Sequence, residues 1–151
     1  MESGAGKNDL MKPTIRAALA GAGAAATWAA AEPLLRRVCR TPYSDVRLLG
    51  RLVARGRRVD TAGLALHVAN GALAGIALDR LRMTTIPRAV LAAELETFVL
   101  WPGMVLVERI HPIFAEEVWP RPIAKHGPTI LEQVLAHALF GAVYGGLARR
   151  R

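Results

Sequence analysis

The sequence predicts an all-α integral membrane protein: a four-helix bundle built as two tandem helical hairpins, plus a short interfacial amphipathic helix. Three observations carry the prediction: four apolar stretches near membrane-spanning length, charges gathered between them, and a histidine–glycine motif that occurs twice. Of 151 residues, 52% are hydrophobic and 21% charged, which excludes a disordered chain. The length fits one domain. Residues 1–151 are read as a single membrane domain, with 1–14 a flexible tail, 15–82 a first helix pair and 87–151 a second.

A hydrocarbon core about 30 Å thick needs about 20 helical residues. The stretches run from Ala17 to Leu35, Thr61 to Leu78, Ala89 to Val107 and Ile130 to Ala148. The second is the cleanest, with no formal charge between Asp60 and Asp79 and only His67 and Asn70 strongly polar. Helices apolar all round need lipid or a large core, and a chain this short has no core that could surround four of them. The first stretch is mostly alanine and carries Glu32, so it is the least hydrophobic. It also admits a rival reading, because Lys7, Lys12 and Arg16 precede a run ending in Ala29-Ala30-Ala31, a pattern a signal peptidase accepts. Gly21 and Gly23 break that run, and Leu34 and Leu35 continue it past the cut, so a retained span is expected.

The segment from Arg36 to Asp60 holds eight arginines and two aspartates. Ser44 suits an N-cap, with Asp45 in the first turn of a helix over about 44–56. On that helix Arg47, Arg51 and Arg55 share a stripe, and Leu49, Leu52 and Val53 fall away from it. The pattern predicts a helix in the headgroup plane with its arginines toward lipid phosphates. The net charge of +8 and the pI near 11 are therefore read as affinity for an anionic bilayer. Nucleic acid is not an expected partner, since no aromatics interleave with the arginines and no binding motif is present.

The repeat comes next. Shifting the chain by 70 residues lays His67-Val-Ala-Asn-Gly71-Ala-Leu-Ala-Gly75 over His137-Ala-Leu-Phe-Gly141-Ala-Val-Tyr-Gly145, the pattern H-x3-G-A-x2-G twice. With a slightly different offset Trp28 lies over Trp101 and Arg36 over Arg109. Each half holds two spans, so the halves run parallel and the two histidines lie at similar depth. Gly71 with Gly75, and Gly141 with Gly145, have the spacing that lets membrane helices approach closely. The histidines are expected to hydrogen-bond across those contacts.

Ionisable groups within a span cost about 2.5–3.5 kcal/mol on insertion scales, so each asks for a partner or a job. The candidate intramembrane polar site is Glu32, His67, Asn70, Glu94, Glu96 and His137. Glu132 is placed close enough to a helix start to reach the interface and is set aside. Glu94 and Glu96 enter from the opposite end, about 10 Å from the histidine level. The leading expectation is a structural or accessory membrane component with no catalytic residue, metal site or cofactor. The alternative is a small proton- or cation-coupled translocator using Glu32, His67 and His137. A lesser alternative makes His67 and His137 axial ligands of a b-type haem.

Other signals are slight. Cys39 is the single cysteine, which excludes an internal disulfide and a multi-cysteine metal site. Phe114 and Trp119, in the third loop, are expected as interfacial anchors. Trp28-x3-Glu32-Pro33 followed by Arg36 and Arg37, at the end of a small-residue first span, resembles the YagU-type small inner-membrane proteins of bacteria. The H-x3-G-A-x2-G helices also resemble uncharacterised four-helix membrane proteins of actinobacteria. Those resemblances imply a multi-pass protein of the bacterial inner membrane and no particular reaction. Nine basic residues at the termini and second loop stand against eleven in the first and third loops, so charge leaves orientation open. A homo-oligomer or a further membrane partner is also left open.

Overall fold

The computed structural model describes residues 5–117 and 119–149, with side chains from Pro13 onward. Those residues are helical, with no strand among them. The elements are α1 (Ala5–Cys39), α2 (Asp45–Val53), α3 (Val59–Arg80), α4 (Ile86–Leu100), α5 (Met104–Ile110), α6 (Ile113–Glu116) and α7 (Gly127–Ala148). A single 3-10 turn, Trp101–Gly103, joins α4 to α5 at Pro102. Three helical stretches are long and apolar enough to cross a membrane: Gly56–Arg80, Ile86–Ile110 and Gly127–Ala148. The first expected span lies in α1, which falls outside that group, and the helix begins at Ala5 within what the sequence suggested was a flexible tail.

The position of α1 explains its composition. It packs against α3 on one side and α7 on the other, and α4 packs on the far side of α7. A helix held between two others needs small side chains, and Ala17, Ala20, Ala24 and Ala25 are buried there. The larger apolar residues point outward instead: Leu91, Leu95, Phe98 and Val99 on α4, Leu64 and Leu73 on α3, and Leu131 and Leu135 on α7 are all exposed. An apolar coat of this extent marks a surface that faces something other than water.

The repeated glycines sit at the two intra-pair contacts. On Gly21 of α1 a Cβ would stand 2.1 Å from the Gly71 carbonyl oxygen, and on Gly75 it would stand 2.3 Å from that of Ala17. In the second pair, a Cβ on Gly141 would lie 2.5 Å from the Val90 Cα, and one on Gly145 would lie 2.6 Å from the Ile86 Cα. Thus α3 seats α1 and α7 seats α4 with the same motif. The row α3–α1–α7–α4 differs from a closed four-helix bundle, because α3 and α4 are joined by a short turn yet do not pack along each other.

Loop one is a built structure. Helix α1 ends on Arg40 in the left-handed region (φ 56°), with the Thr41 N–H donating to the Arg36 carbonyl at 3.0 Å. Ser44 caps α2 as expected, its hydroxyl accepting from the Arg47 N–H at 3.1 Å. Helix α2 crosses the start of α3 at backbone contact, since a Cβ on Gly63 would stand 1.8 Å from the Val46 carbonyl oxygen. Its Leu52 and Val53 are exposed.

Candidate functional site

At the end of the row that carries loops one and three, the four long helices line a cavity of about 230 Å³. Its floor is Trp28 of α1, packed edge-on against both motif histidines, with ring centroids 4.8 Å from His67 and 4.5 Å from His137. A single indole thus spans the two imidazoles. His67 is buried, and its Nε2 has no hydrogen bond among the described residues; the Ala25 carbonyl is the backbone polar group beside its ring. His137 is half-buried, and its Nδ1 lies 2.9 Å from the Gln133 carbonyl one turn back on its own helix. The expected histidine bonds across the helix contact are thus replaced in α7 by a bond within the helix.

The other expected site residues divide. Asn70 and Glu96 line the cavity from α3 and α4, and both are exposed there, flanking the opening where those helices fail to meet. Glu94, on another face of α4, is half-buried within electrostatic reach of His137, and both its carboxylate oxygens lack a hydrogen bond among the described residues. Glu32 does not line the cavity. Its Oε1 accepts from the Ser44 hydroxyl at 2.5 Å and its Oε2 lies 3.4 Å from the Val46 N–H, so it anchors the start of α2. The expected Glu32–His67–His137 cluster is therefore not assembled around the cavity.

In its place stand residues to which the sequence assigned no role or a lesser one. Asp45, read only as a first-turn charge, accepts from the Tyr43 hydroxyl at 2.8 Å and from Gln133 Nε2 at 2.7 Å, and all three line the cavity. Gln133 Nε2 also lies 2.7 Å from Glu132 Oε2. Glu132 is fully buried, contrary to its expected place at the interface, and its Oε1 has no hydrogen bond among the described residues. The spacing Gln133-x3-His137 was a signal available in the sequence, since residues four apart share a helix face. Burial pushes the Tyr43 hydroxyl well above its usual range, and the adjacent Asp45 adds to the effect.

Loop three closes the same end. Phe114 and Trp119 are buried rather than interfacial: Trp119 packs at a tilt against Tyr43 and edge-on against Phe114, in an aromatic cluster that also takes in Ile113 and Ile123. Trp101 reaches this cluster edge-on, 6.0 Å from Tyr43, while its Nε1 donates to the Ala124 carbonyl. The arginine stripe of α2 is drawn in as well. Arg47 pairs with Glu117 at 2.8 Å and lies 3.6 Å from Asp60, and Arg51 pairs with Glu116 at 2.5 Å, so two of the three expected headgroup ligands are bound to protein carboxylates. Arg55 remains exposed.

Toward the opposite end lies a second cavity of about 280 Å³, bordered by Arg16, Ala20, Asp79 and Leu147. Ala20 lines this cavity and Ala25 the other, so the two are about 7.5 Å apart along α1. The layer between them holds the Gly21–Gly71–Gly75 contact and the buried Tyr144, whose hydroxyl donates to the Gly75 carbonyl at 2.9 Å.

No family model, curated protein or solved structure matches the chain.

No group of three or more histidine, cysteine, aspartate or glutamate residues among the described residues is arranged to hold a metal ion. A bis-histidine haem also fits poorly, because the Trp28 indole packs against both imidazoles and the cavity is below the roughly 300–1,000 Å³ usual for ligand pockets.

Proposed function

We propose that the chain is a multi-pass membrane protein, α1 with α3 and α4 with α7 forming its two tandem hairpins, and that it moves a small cation or a proton between two half-cavities. The observation that carries this reading is the pair of cavities separated by one thin layer, with His67 and His137 on one side and Tyr144 in the layer. Transporters commonly hold their site at the interface of structural repeats, where it can open to one side at a time. A purely structural role accounts for the glycine contacts but gives no reason for two histidines, an aspartate and a glutamine on a cavity wall. Translocation therefore takes precedence over the accessory role that the sequence favoured. The carboxylates at the mouth and wall, Glu96 and Asp45, take over the part first given to Glu32. The bacterial inner membrane, the setting implied by the YagU-type resemblance, belongs to the same proposal, as does contact of Arg55 with anionic lipid.

The test is flux in proteoliposomes under an imposed pH gradient. Wild type is expected to show a pH-dependent flux, His67→Ala and His137→Ala to lose it while still inserting, and Tyr144→Ala to leak. Absence of flux in wild type, or equal flux in the histidine variants, overturns the reading. Four spans are tested separately by labelling single cysteines placed in each loop of a Cys39→Ser background.

A further inference from the structure

The walls of the cavity at the loop-one end are aromatic and acidic at once. Trp28, Trp101, Tyr43 and Phe140 supply rings, Asp45 and Glu96 supply carboxylates, and no lysine or arginine among the described residues lines the space. Aromatic faces attract cations through their quadrupole, and a carboxylate in the same pocket supplies the matching charge. Such walls suit an alkylated or primary ammonium better than a bare metal ion, which would need converging oxygen or nitrogen ligands.

Two further observations point to an occupant. Trp28 is buried and its Nε1 has no hydrogen bond among the described residues, as is true of His67 Nε2; both side chains line the cavity. Buried polar atoms of this kind are ordinarily satisfied, so a ligand that also bears a hydroxyl, accepting from the indole N–H and donating to the imidazole nitrogen, would complete them. The mouth has its own character. Asn70 and Glu96 flank it between α3 and α4, beside the exposed Leu100, so it opens sideways along the apolar coat and not through the capped end.

We infer that this cavity binds an ammonium group carrying a nearby oxygen, with Trp28 and Trp101 as walls and Asp45 and Glu96 as counter-charges. The group could belong to a free amine or to a lipid headgroup, which would reach the site through the sideways mouth. The inference rests on the reading of the chain as a membrane protein with a functional cavity, and it names the ligand class of that cavity.

Binding is read by intrinsic tryptophan fluorescence of the full chain in detergent, titrated with tetramethylammonium chloride and choline chloride against sodium chloride at equal ionic strength. Neutral tert-butanol is the isosteric control. A saturable response to both ammonium salts and none to the alcohol is expected, and choline should bind more tightly through its hydroxyl. Glu96→Gln, at the exposed mouth, should weaken binding at least about fivefold without altering the fold. Trp28→Phe should keep tetramethylammonium binding within about threefold and remove the preference for choline. In nanodiscs, loss of the choline response in phosphatidylethanolamine but not in phosphatidylglycerol assigns the headgroup as the source. A response retained in both assigns the free amine.

An equal response to tert-butanol, no response to either salt, or an unchanged affinity in Glu96→Gln overturns the inference. Proton flux without ammonium binding removes the ligand class and leaves translocation standing. Ammonium binding without flux does the reverse.

Discussion

The two helix pairs carry the same glycine motif and treat it differently. In the first pair the contact is glycine on glycine, Gly21 of α1 against Gly71 and Gly75 of α3, and the backbones meet directly. In the second pair Gly141 and Gly145 of α7 meet the backbone of Val90 and Ile86, where α4 carries branched residues. The histidines have diverged too, His67 being buried against α1 and His137 half-buried with its Nδ1 bound within α7. The comparison teaches that the motif fixes the docking of two helices, while the surroundings decide what its histidine does.

Widening the contact breaks the comparison most directly. Gly75→Val in the first pair should cost more than about 3 kcal/mol or prevent assembly, because the backbone of Ala17 and Gly21 cannot move aside as a side chain would. Gly141→Val should cost somewhat less if α4, packed on α7 alone among the long helices, can shift outward. Gly146→Ala meets open space and serves as the control, gaining up to about 1 kcal/mol of helix propensity. Thermal stability in detergent checks all three. Equal losses for Gly75 and Gly141 would show that both pairs are equally locked.

The next effect tests the layer that ties one pair to the other. Tyr144→Phe removes the hydroxyl that reaches the Gly75 carbonyl and keeps the ring against Phe140. Losing that bond should cost about 1 kcal/mol, measured as a lowered midpoint of thermal unfolding. Tyr144 counts in the first pair's stability although it belongs to the second, so the loss should be non-additive with Gly75→Ala.

The loops are joined electrostatically, and the expected effect there is smaller. Arg51→Ala, which removes the pair with Glu116, should cost about 0.5–1 kcal/mol and Arg47→Ala about the same. Raising the salt concentration should shrink both losses, since exposed or partly exposed pairs are screened. A loss that ignores salt would mean that Arg51 acts through packing of its stem.

The contrast between the pairs also shows what the sequence could reveal. Helical class, the loop-one helix with its Ser44 cap and the tandem motif were legible, because periodicity and capping are local signals. The contents of the cavity were not. Asp45 reads as an ordinary first-turn acid until α2 is seen to bring it against Gln133, 88 residues away. Glu132 looked interfacial because its distance from the helix start was counted, yet α1 and loop one cover that face and bury it completely. Phe114 and Trp119 looked like anchors because they sit in a loop, and nothing local says that Tyr43 will pack on Trp119 and Trp119 on Phe114. Charge runs mislead in the same way, as Arg47 and Arg51 found their acids in loop three.

The smallest expected effect lies in the loop that only the second pair has. His111 accepts the Ile113 N–H at Nδ1, at 3.2 Å, and burial pushes its titration below the usual histidine range, while the Leu48 carbonyl opposes that. The folded form therefore holds His111 neutral, and the unfolded chain binds a proton more readily. Stability contributed by this residue should be complete above the unfolded titration point near 6.5 and fall as pH drops below it, levelling off below the folded titration point. Melting followed from pH 7.5 to pH 5 should show that loss in wild type. His111→Asn, whose side-chain oxygen can still accept from Ile113, should flatten the curve relative to wild type. A curve unchanged by the substitution would assign the acid sensitivity to a titratable group other than His111.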